Sequence, residues 1–353
     1  MISLSEEYYG LVIGRVLSGL GFGSTYLSFI MYGSEISSPK VRAQLIYLLH
    51  FFFTAGIAFY SLWHVDDDAV NIITGTIGLS FSLLSAFLGY FRIQPSHIQL
   101  LYNNADAAAL QKFQHFQRDH KHNPHMEVNE MKLFLNEEGK RTLNLFSKHN
   151  MMCLFLVIMA KVGYLAIWNS THVLIRSLFL SFDFEGYMQY SYLSMVAVRL
   201  VGSAVGFFIL DRISRKLQFA ISAFAAAALM FAFGIILQLY TKNYTLYIPP
   251  AVVLLPLEFF VGLGISHLSD LLKSEIFPLR EKRDSIAISI VFEEIIQITF
   301  IIISFNSVIT PFTLNVVPFI FGFFTLLVGV ATLLLLKESK YQNLRVTSNL
   351  YQR

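Results

Sequence analysis

An all-α fold, a polytopic transmembrane helical bundle, is predicted by three observations. The chain is 55% hydrophobic and only 14% charged, a balance far from that of a water-soluble domain. Its apolar residues gather into nine stretches, each of about the 20 residues a helix needs to cross a bilayer core. The Lys and Arg residues between those stretches fall on alternate connections, so that one side of the membrane collects them.

The spans lie near residues 8–31, 43–64, 69–91, 150–175, 188–210, 217–240, 247–272, 285–305 and 312–336. An outer-membrane barrel is excluded, because the runs are too long and lack alternating polarity. Met1 to Glu7 is short and acid-bearing, with no basic flank or cleavage site, so the first span is expected to direct its own insertion. Lys40 with Arg42, Arg212 with Arg215 and Lys216, Arg280 with Lys282 and Arg283, and the tail with Lys337, Lys340 and Arg345 share the side expected to be cytoplasmic. The opposite connections hold Asp66 to Asp68, Ser181 to Gly186 and Lys242 to Tyr247. Asn243-Tyr244-Thr245 in the last of these is a glycosylation sequon on the predicted outer face, with Asn243 the acceptor.

A net charge of +3 gives no reason to expect nucleic acid. The lone Cys153 lies within an apolar run and reads as a packing residue. Residues 92–149 are the one sizeable polar segment. Its His115, His120, His122 and His125 lack the cysteines or tight helical pairing of a metal site, so no metal is expected. Leu100, Leu101, Leu110 and Phe113, then Met131, Leu133, Phe134 and Leu143, suggest short amphipathic helices there. No nucleophile and base constellation points to an enzyme, and no cofactor is expected. The organisation read from these features is three spans in 1–92, a cytoplasmic linker in 93–149, six spans in 150–336 and a cytoplasmic tail in 337–353.

One device occurs twice. After the first span the chain reads Ser34-Glu35-Ile36-Ser37, with Pro39, Lys40 and Arg42 following. After the seventh it reads Ser274-Glu275-Ile276-Phe277-Pro278, with Arg280 and Arg283 following. Transporters are commonly built from duplicated halves, which places a repeat at the same point in each half. Here it follows the fourth span of the later half but the first span of the earlier one. In that register three helices, with loops about 100 residues or more, are expected ahead of Met1. A carboxylate near guanidinium groups at a helix end can bridge neighbouring helices and act as a conformational latch. Ordinary positive-inside flanking explains the basic residues but not the repeated Ser-Glu-Ile.

These motifs resemble the sugar-porter branch of the major facilitator superfamily, from that family's fourth helix to its last. Gly14-Arg15 with Gly19 and Gly23 resembles the start of the fourth helix, and Glu35 with Arg42 its Glu and Arg-Gly pair. Asp211-Arg212-Ile213-Ser214-Arg215-Lys216 resembles Asp-Arg-x-Gly-Arg-Arg, with Ser214 in place of glycine. Ser274 to Pro278 with Arg283 resembles the second-half counterpart, Lys337-Glu338-Ser339-Lys340 a decayed Pro-Glu-Thr-Lys, and Pro95-Ser96 a fragment of Pro-Glu-Ser-Pro-Arg. The resemblance implies a major-facilitator fold lacking its first three helices, with two bundles rocking around a central site. Arg15, Glu35, Arg42, Asp211, Arg212, Arg215, Glu275 and Arg283 are the residues it implies for the latch. In proton-coupled relatives the arginine like Arg15 pairs with an acid on the first helix, so here Arg15 is expected to reach Glu6 or Glu7 or to stay unpaired. Gly10 with Gly14, and Gly19 with Gly23, have the spacing of close helix contact.

The sugar-binding pattern is altered. Gln-Gln-x-x-Gly-x-Asn of the family's seventh helix stands here as Met159-Ala160-Lys161-Val162-Gly163-Tyr164-Leu165. Its tenth-helix Gly-Pro-Gly-Pro and tryptophan region reads Gly264 to Asp270, and its eleventh-helix Asn-Trp reads Glu293-Glu294. His50 stands where a fifth-helix glutamine contacts sugar. Ionisable groups in spans cost roughly 2.5–3.5 kcal/mol each and normally face a wet cavity or a partner. His50, Lys161, Arg199, Asp270, Glu293 and Glu294 are therefore candidates, and with the amides Asn169 and Gln297 they make the candidate substrate set, Glu293 and Gln297 sharing one helix face. Two readings of the charged members stand side by side: a charged substrate or protons coupled through Glu293 or His50, and ion pairs that bridge helices. A carrier of a small solute is expected, sugar by inheritance and an organic ion from the altered cavity. It is expected to sit in the lipid bilayer of the plasma membrane with its C-terminus cytoplasmic. The rival is a non-transporting membrane sensor or modulator.

Overall fold

The computed structural model describes residues 8–61, 68–116, 124–140, 147–181, 185–210, 212–242, 249–306, 311–340, 344 and 347. Their regular structure is helical: α1 (Tyr8–Ile36), α2 (Arg42–Ser61), α3 (Asp68–Arg92), α4 (His97–Tyr102), α5 (Asp106–Phe116), α6 (Pro124–Lys140), α7 (Lys148–Ser181), α8 (Glu185–Ile209), α9 (Arg215–Lys242), α10 (Pro249–Phe260), a π-helical turn (Val261–Ile265), α11 (Ser266–Glu275), α12 (Lys282–Asn306) and α13 (Pro311–Leu335). Among the described residues, segments of α2, α7, α8, α9, the α10 to α11 rod, α12 and α13 are long and apolar enough to cross a membrane. The 29-residue α1 and the 25-residue α3 lie where the first and third spans were expected. Large apolar side chains left on the surface, among them Val291, Phe292, Ile295 and Ile298 of α12, suit a lipid surround rather than water.

The chain divides into two compact units, Met1–Ser38 with Phe59–Glu137, and Pro39–Ala58 with Glu138–Arg353. In the first unit the polar segment forms α4, α5 and the start of α6, matching the expected short helices. Ser96 caps α4 by accepting from the Gln99 backbone N–H, and its hydroxyl donates to Glu35 at the end of α1. Ile98, Leu101, Ala109 and Phe113 are buried between α4 and α5, where the His97 ring meets Phe113 edge-on. His115 of α5 and His125 of α6 are exposed, while His120, His122 and Leu143 lie outside the described residues.

The second unit holds α2 and α7 to α13. Its core is Tyr164, Leu165 and Ile167 of α7, Met195 of α8, Ala223, Ala226, Met230, Phe233 and Leu237 of α9, and Leu254, Leu257, Val261 and Ile265 along the α10 rod. The alanine run of α9 lets α13 lie close along it: a Cβ on Gly329 would sit 3.2 Å from that of Ala223. Small residues at such seams let backbones approach and increase dispersion contact where lipid offers no hydrophobic drive between helices. A close crossing joins α8 to the end of α10 and the π turn. A Cβ on Gly202 would come within 2.2 Å of Phe259 O, and one on Gly262 within 2.2 Å of Arg199 O. Gly19 and Gly23 of α1 share the spacing of Gly202 and Gly206, yet a Cβ on either would meet nothing within 4 Å.

Candidate functional site

The π turn sets the geometry of the site. Inserting one residue per turn displaces carbonyls from the regular helical ladder, and such bulges recur at functional positions. Here Leu263 O accepts from Tyr47 Oη of α2 at 2.7 Å and from Gln218 Nε2 of α9 at 2.8 Å. Gly262 O accepts from Tyr47 Oη at 3.0 Å and from Ser203 Oγ of α8 at 3.4 Å. Helices α2, α8 and α9 thus converge on this bend. The Tyr47 ring stacks on His267, one helical turn past it, with centroids 3.4 Å apart and planes 10° off parallel. His50 approaches His267 edge-on at 4.7 Å and Tyr164 of α7 at 5.5 Å.

Beside the aromatics lies a buried charge cluster. Lys273 Nζ of α11 reaches Asp270 Oδ1 at 3.2 Å and Glu293 Oε2 of α12 at 2.6 Å, and Lys161 Nζ of α7 stands 3.7 Å from the same Glu293 oxygen. Two ammonium groups and two carboxylates balance. Asp270, Lys273 and Glu293 are shut from water, whereas Lys161 keeps 17% of its side-chain surface exposed. Next along α7, Arg199 Nε of α8 donates to Glu258 Oε2 of α10 at 2.6 Å, and its guanidinium lies 3.9 Å over the Trp168 ring. A small cleft of about 10 Å³, lined by Trp168, Thr171, Tyr192, Met195, Val196, Arg199 and Glu258, lies beside the pair. Of the candidate substrate residues, the structure gathers His50, Lys161, Asp270 and Glu293, and ties Arg199 to its own acid. Glu294 is exposed on α12, Gln297 is half-buried, and the side chain of Asn169 lies outside the described residues.

The latch residues divide. In the second unit Glu275 Oε1 meets Arg215 Nη1 at 2.8 Å and Arg42 Nη1 at 4.0 Å, all three buried. Lys282 Nζ donates to Ser274 O at 2.6 Å, closing the end of α11. Arg212 is exposed, and Arg283 is 74% exposed beside its neighbour Asp284. Glu35 belongs to the first unit with Ser96, and Arg15 is exposed on α1. Asp211, Asn243, Glu6 and Glu7 lie outside the described residues. Outside the spans, burial raises the carboxyl pKa of Glu281, while a hydrogen bond from Asn150 and the charge of Arg280 oppose that rise.

The model of the sugar (and other) transporter family matches residues 1–351. The chain belongs to that family. None of the curated proteins matches it in sequence. Among solved structures, this sugar transporter family member is similar to the major facilitator superfamily proton:xylose symporter XylE bound to 6-bromo-6-deoxy-D-glucose, with 19% identity, a TM-score of 0.76, and coverage of 96% of this chain and 74% of that one. A double-tryptophan mutant of XylE gives 18% identity and a TM-score of 0.80 over the same shares. The inward-open XylE of E. coli gives 15% and 0.55, covering 92% of this chain and 68% of that one. The fold is therefore the all-helical major-facilitator fold of an integral membrane protein, and family and fold are those of transporters, not enzymes.

Four site residues of this sugar transporter family member escaped the sequence reading. Tyr47 and Gln218 look like ordinary span residues until the π turn exposes carbonyls to them. Lys273 and Glu258 are ionisable groups inside apolar runs, the same signal that found Lys161 and Arg199. His267 was visible only as one of several changes in the tenth-helix region.

Proposed function

We propose that this protein carries a neutral, monosaccharide-sized sugar across the plasma membrane by alternating access. Nine helices span the bilayer, in 1–92 and 150–336, with the 93–149 linker and the 337–353 tail on the cytoplasmic side. Membership of the sugar transporter family carries the reading. The pairing of the intramembrane charges supports its neutral form: Lys161 and Lys273 are matched by Asp270 and Glu293, and Arg199 by Glu258. The pairing of these charges with one another among the described residues favours the bridging reading over a site for an organic ion.

The test is uptake into proteoliposomes of purified protein, with radiolabelled xylose, hexoses, organic anions and organic cations, with and without a pH gradient. Saturable flux of a neutral sugar is the expected result, and dependence on the gradient would add protons as the coupling ion. Flux of ions alone overturns the neutral-solute reading. Solute binding without flux assigns the protein to sensing or modulation instead.

A further inference from the structure

The start of α9 and the end of α13 meet at one corner of the second unit. The Ser214 hydroxyl, just ahead of α9, donates to the Glu338 carboxylate, whose Oε1 accepts from the Lys340 backbone N–H at 3.1 Å. Leu336, Leu344 and Thr347 are buried, so the chain beyond α13 is held against the unit at these points. The contact sets Arg212 and Lys216, two residues either side of Ser214, beside Lys337 and Lys340, which flank Glu338. Arg212 and Lys337 are exposed, and Lys216 and Lys340 are half-buried. All four stand at or just beyond the ends of the apolar stretches Arg215–Leu239 and Val316–Leu335, which in a bilayer is the depth of the headgroups.

Apolar surface leads away from the corner on both helices. Leu217 and Ile221 of α9 are exposed four residues apart, and Leu327, Val330 and Leu334 of α13 are exposed at spacings of three and four. Side chains at these spacings share a helix face. We infer that this corner binds an anionic phospholipid, its phosphate among Arg212, Lys216, Lys337 and Lys340 and its acyl chains along the two stripes, with Ser214 and Glu338 positioning the basic pairs. The inference takes the corner to lie on the side proposed above as cytoplasmic, and it holds whichever solute is carried.

Charge selects the class of lipid. Two acids stand close by in sequence, Asp211 and Glu338, against these four cations, while Arg215 is engaged by Glu275. A zwitterionic headgroup brings its own ammonium group, which the four cations repel; a headgroup of net negative charge brings no such opponent. The Arg212 guanidinium has the fork that meets two phosphate oxygens at once, and the lysines add point charges. Basic residues beside a membrane span are attracted to anionic lipid in this way. The distinctive feature here is that a side-chain contact joins two basic pairs more than 100 residues apart in the chain.

The experiment is native mass spectrometry of the purified full chain in detergent, titrated with phosphatidylserine and with phosphatidylcholine. Wild type is expected to retain one phosphatidylserine about tenfold more tightly than phosphatidylcholine. Arg212→Gln with Lys216→Gln, and Lys337→Gln with Lys340→Gln, should each weaken phosphatidylserine binding by about tenfold or more, since each Lys or Arg at an anionic surface is worth about fivefold. Ser214→Ala leaves every charge in place and removes the positioning contact, so a loss of about fivefold is expected, the ratio for one hydrogen bond. Lys148→Gln with Arg280→Gln removes two exposed basic residues elsewhere in the unit and should leave binding unchanged. An equal loss in that pair would reduce the corner to the general attraction of basic flanks and overturn the site. Wild-type affinity in a Ser214→Ala protein that elutes as the folded species, or equal retention of the two lipids by wild type, also overturns it. Inorganic phosphate or glycerophosphoserine that displaces the lipid at matching concentration assigns the cluster to a free anion and overturns the lipid. No flux is measured, so the outcome is separate from that of the uptake panel.

Discussion

Lys273 touches two carboxylates and no water, and that makes it the most consequential side chain in the second unit. Taking a charge out of water is costly, and the attraction to Asp270 and Glu293 offsets that cost only while the set is complete. Lys273→Met leaves two buried carboxylates with Lys161 alone, and removal of one partner of a buried pair costs about 3–5 kcal/mol. The double variant Asp270→Asn with Lys273→Met restores the charge balance and should recover most of that loss. Cys153, the only cysteine in the sequence, is a built-in reporter because its thiol is buried and lies 3.6 Å from Ile276 O. Unfolding followed by thiol-dye labelling of Cys153 should show a large fall in midpoint for the single variant and a small one for the double. Equal falls would show that the ion pairing carries none of the stability.

At the scale of helices, most of the architecture was legible because long apolar runs have few alternatives in a bilayer, where every backbone polar group must be bonded within its own segment. The short α4, α5 and α6 were also readable in part: of the apolar residues that suggested them, Leu101, Phe113 and Phe134 are buried, whereas Leu133 is exposed. Contact between helices was not readable. The four-residue glycine spacing occurs at Gly19 with Gly23 and at Gly202 with Gly206, and nothing local says which has a neighbour. Only the packed structure shows the second pair against the end of α10 and the π turn. The difference yields a paired prediction. Gly262→Ala puts a methyl group 2.2 Å from the Arg199 carbonyl, where backbone must move, and should cost 1–3 kcal/mol or about that order by overpacking. Gly19→Ala meets open space and should be neutral or stabilising by about 0.5–1 kcal/mol, the helix-interior preference for alanine. Thermal midpoints of the two variants decide it, and a Gly262→Ala protein as stable as wild type would deny the close crossing.

For the whole molecule, alternating access requires an interaction that exists in one state and is lost in the other, since a group that binds both equally shifts nothing. The repeated Ser-Glu-Ile with its trailing arginines was legible only as a candidate for such a device, because charges at helix ends stand out against apolar runs. Which members act together was not, since Arg42 lies 233 residues from Glu275 along the chain by the numbering yet shares its Oε1 atom with Arg215. Two guanidinium groups on one buried carboxylate join α2, α9 and α11 at that end of the unit. Glu275→Gln keeps the shape and leaves two cations facing each other, which only hydration can relieve. The expected consequence is a population shift toward a state in which this end is wet. Ala43, at 1% exposure and next to Arg42, supplies the reporter as Ala43→Cys in a Cys153→Ser background. A membrane-impermeant maleimide should label it slowly in the parent and about tenfold faster with Glu275→Gln, a ratio equivalent to about 1.4 kcal/mol. The same maleimide applied from the opposite face should give no such increase. Equal labelling rates in a Glu275→Gln protein that elutes as the folded species would show that the triad is structural cement and that the switch lies elsewhere.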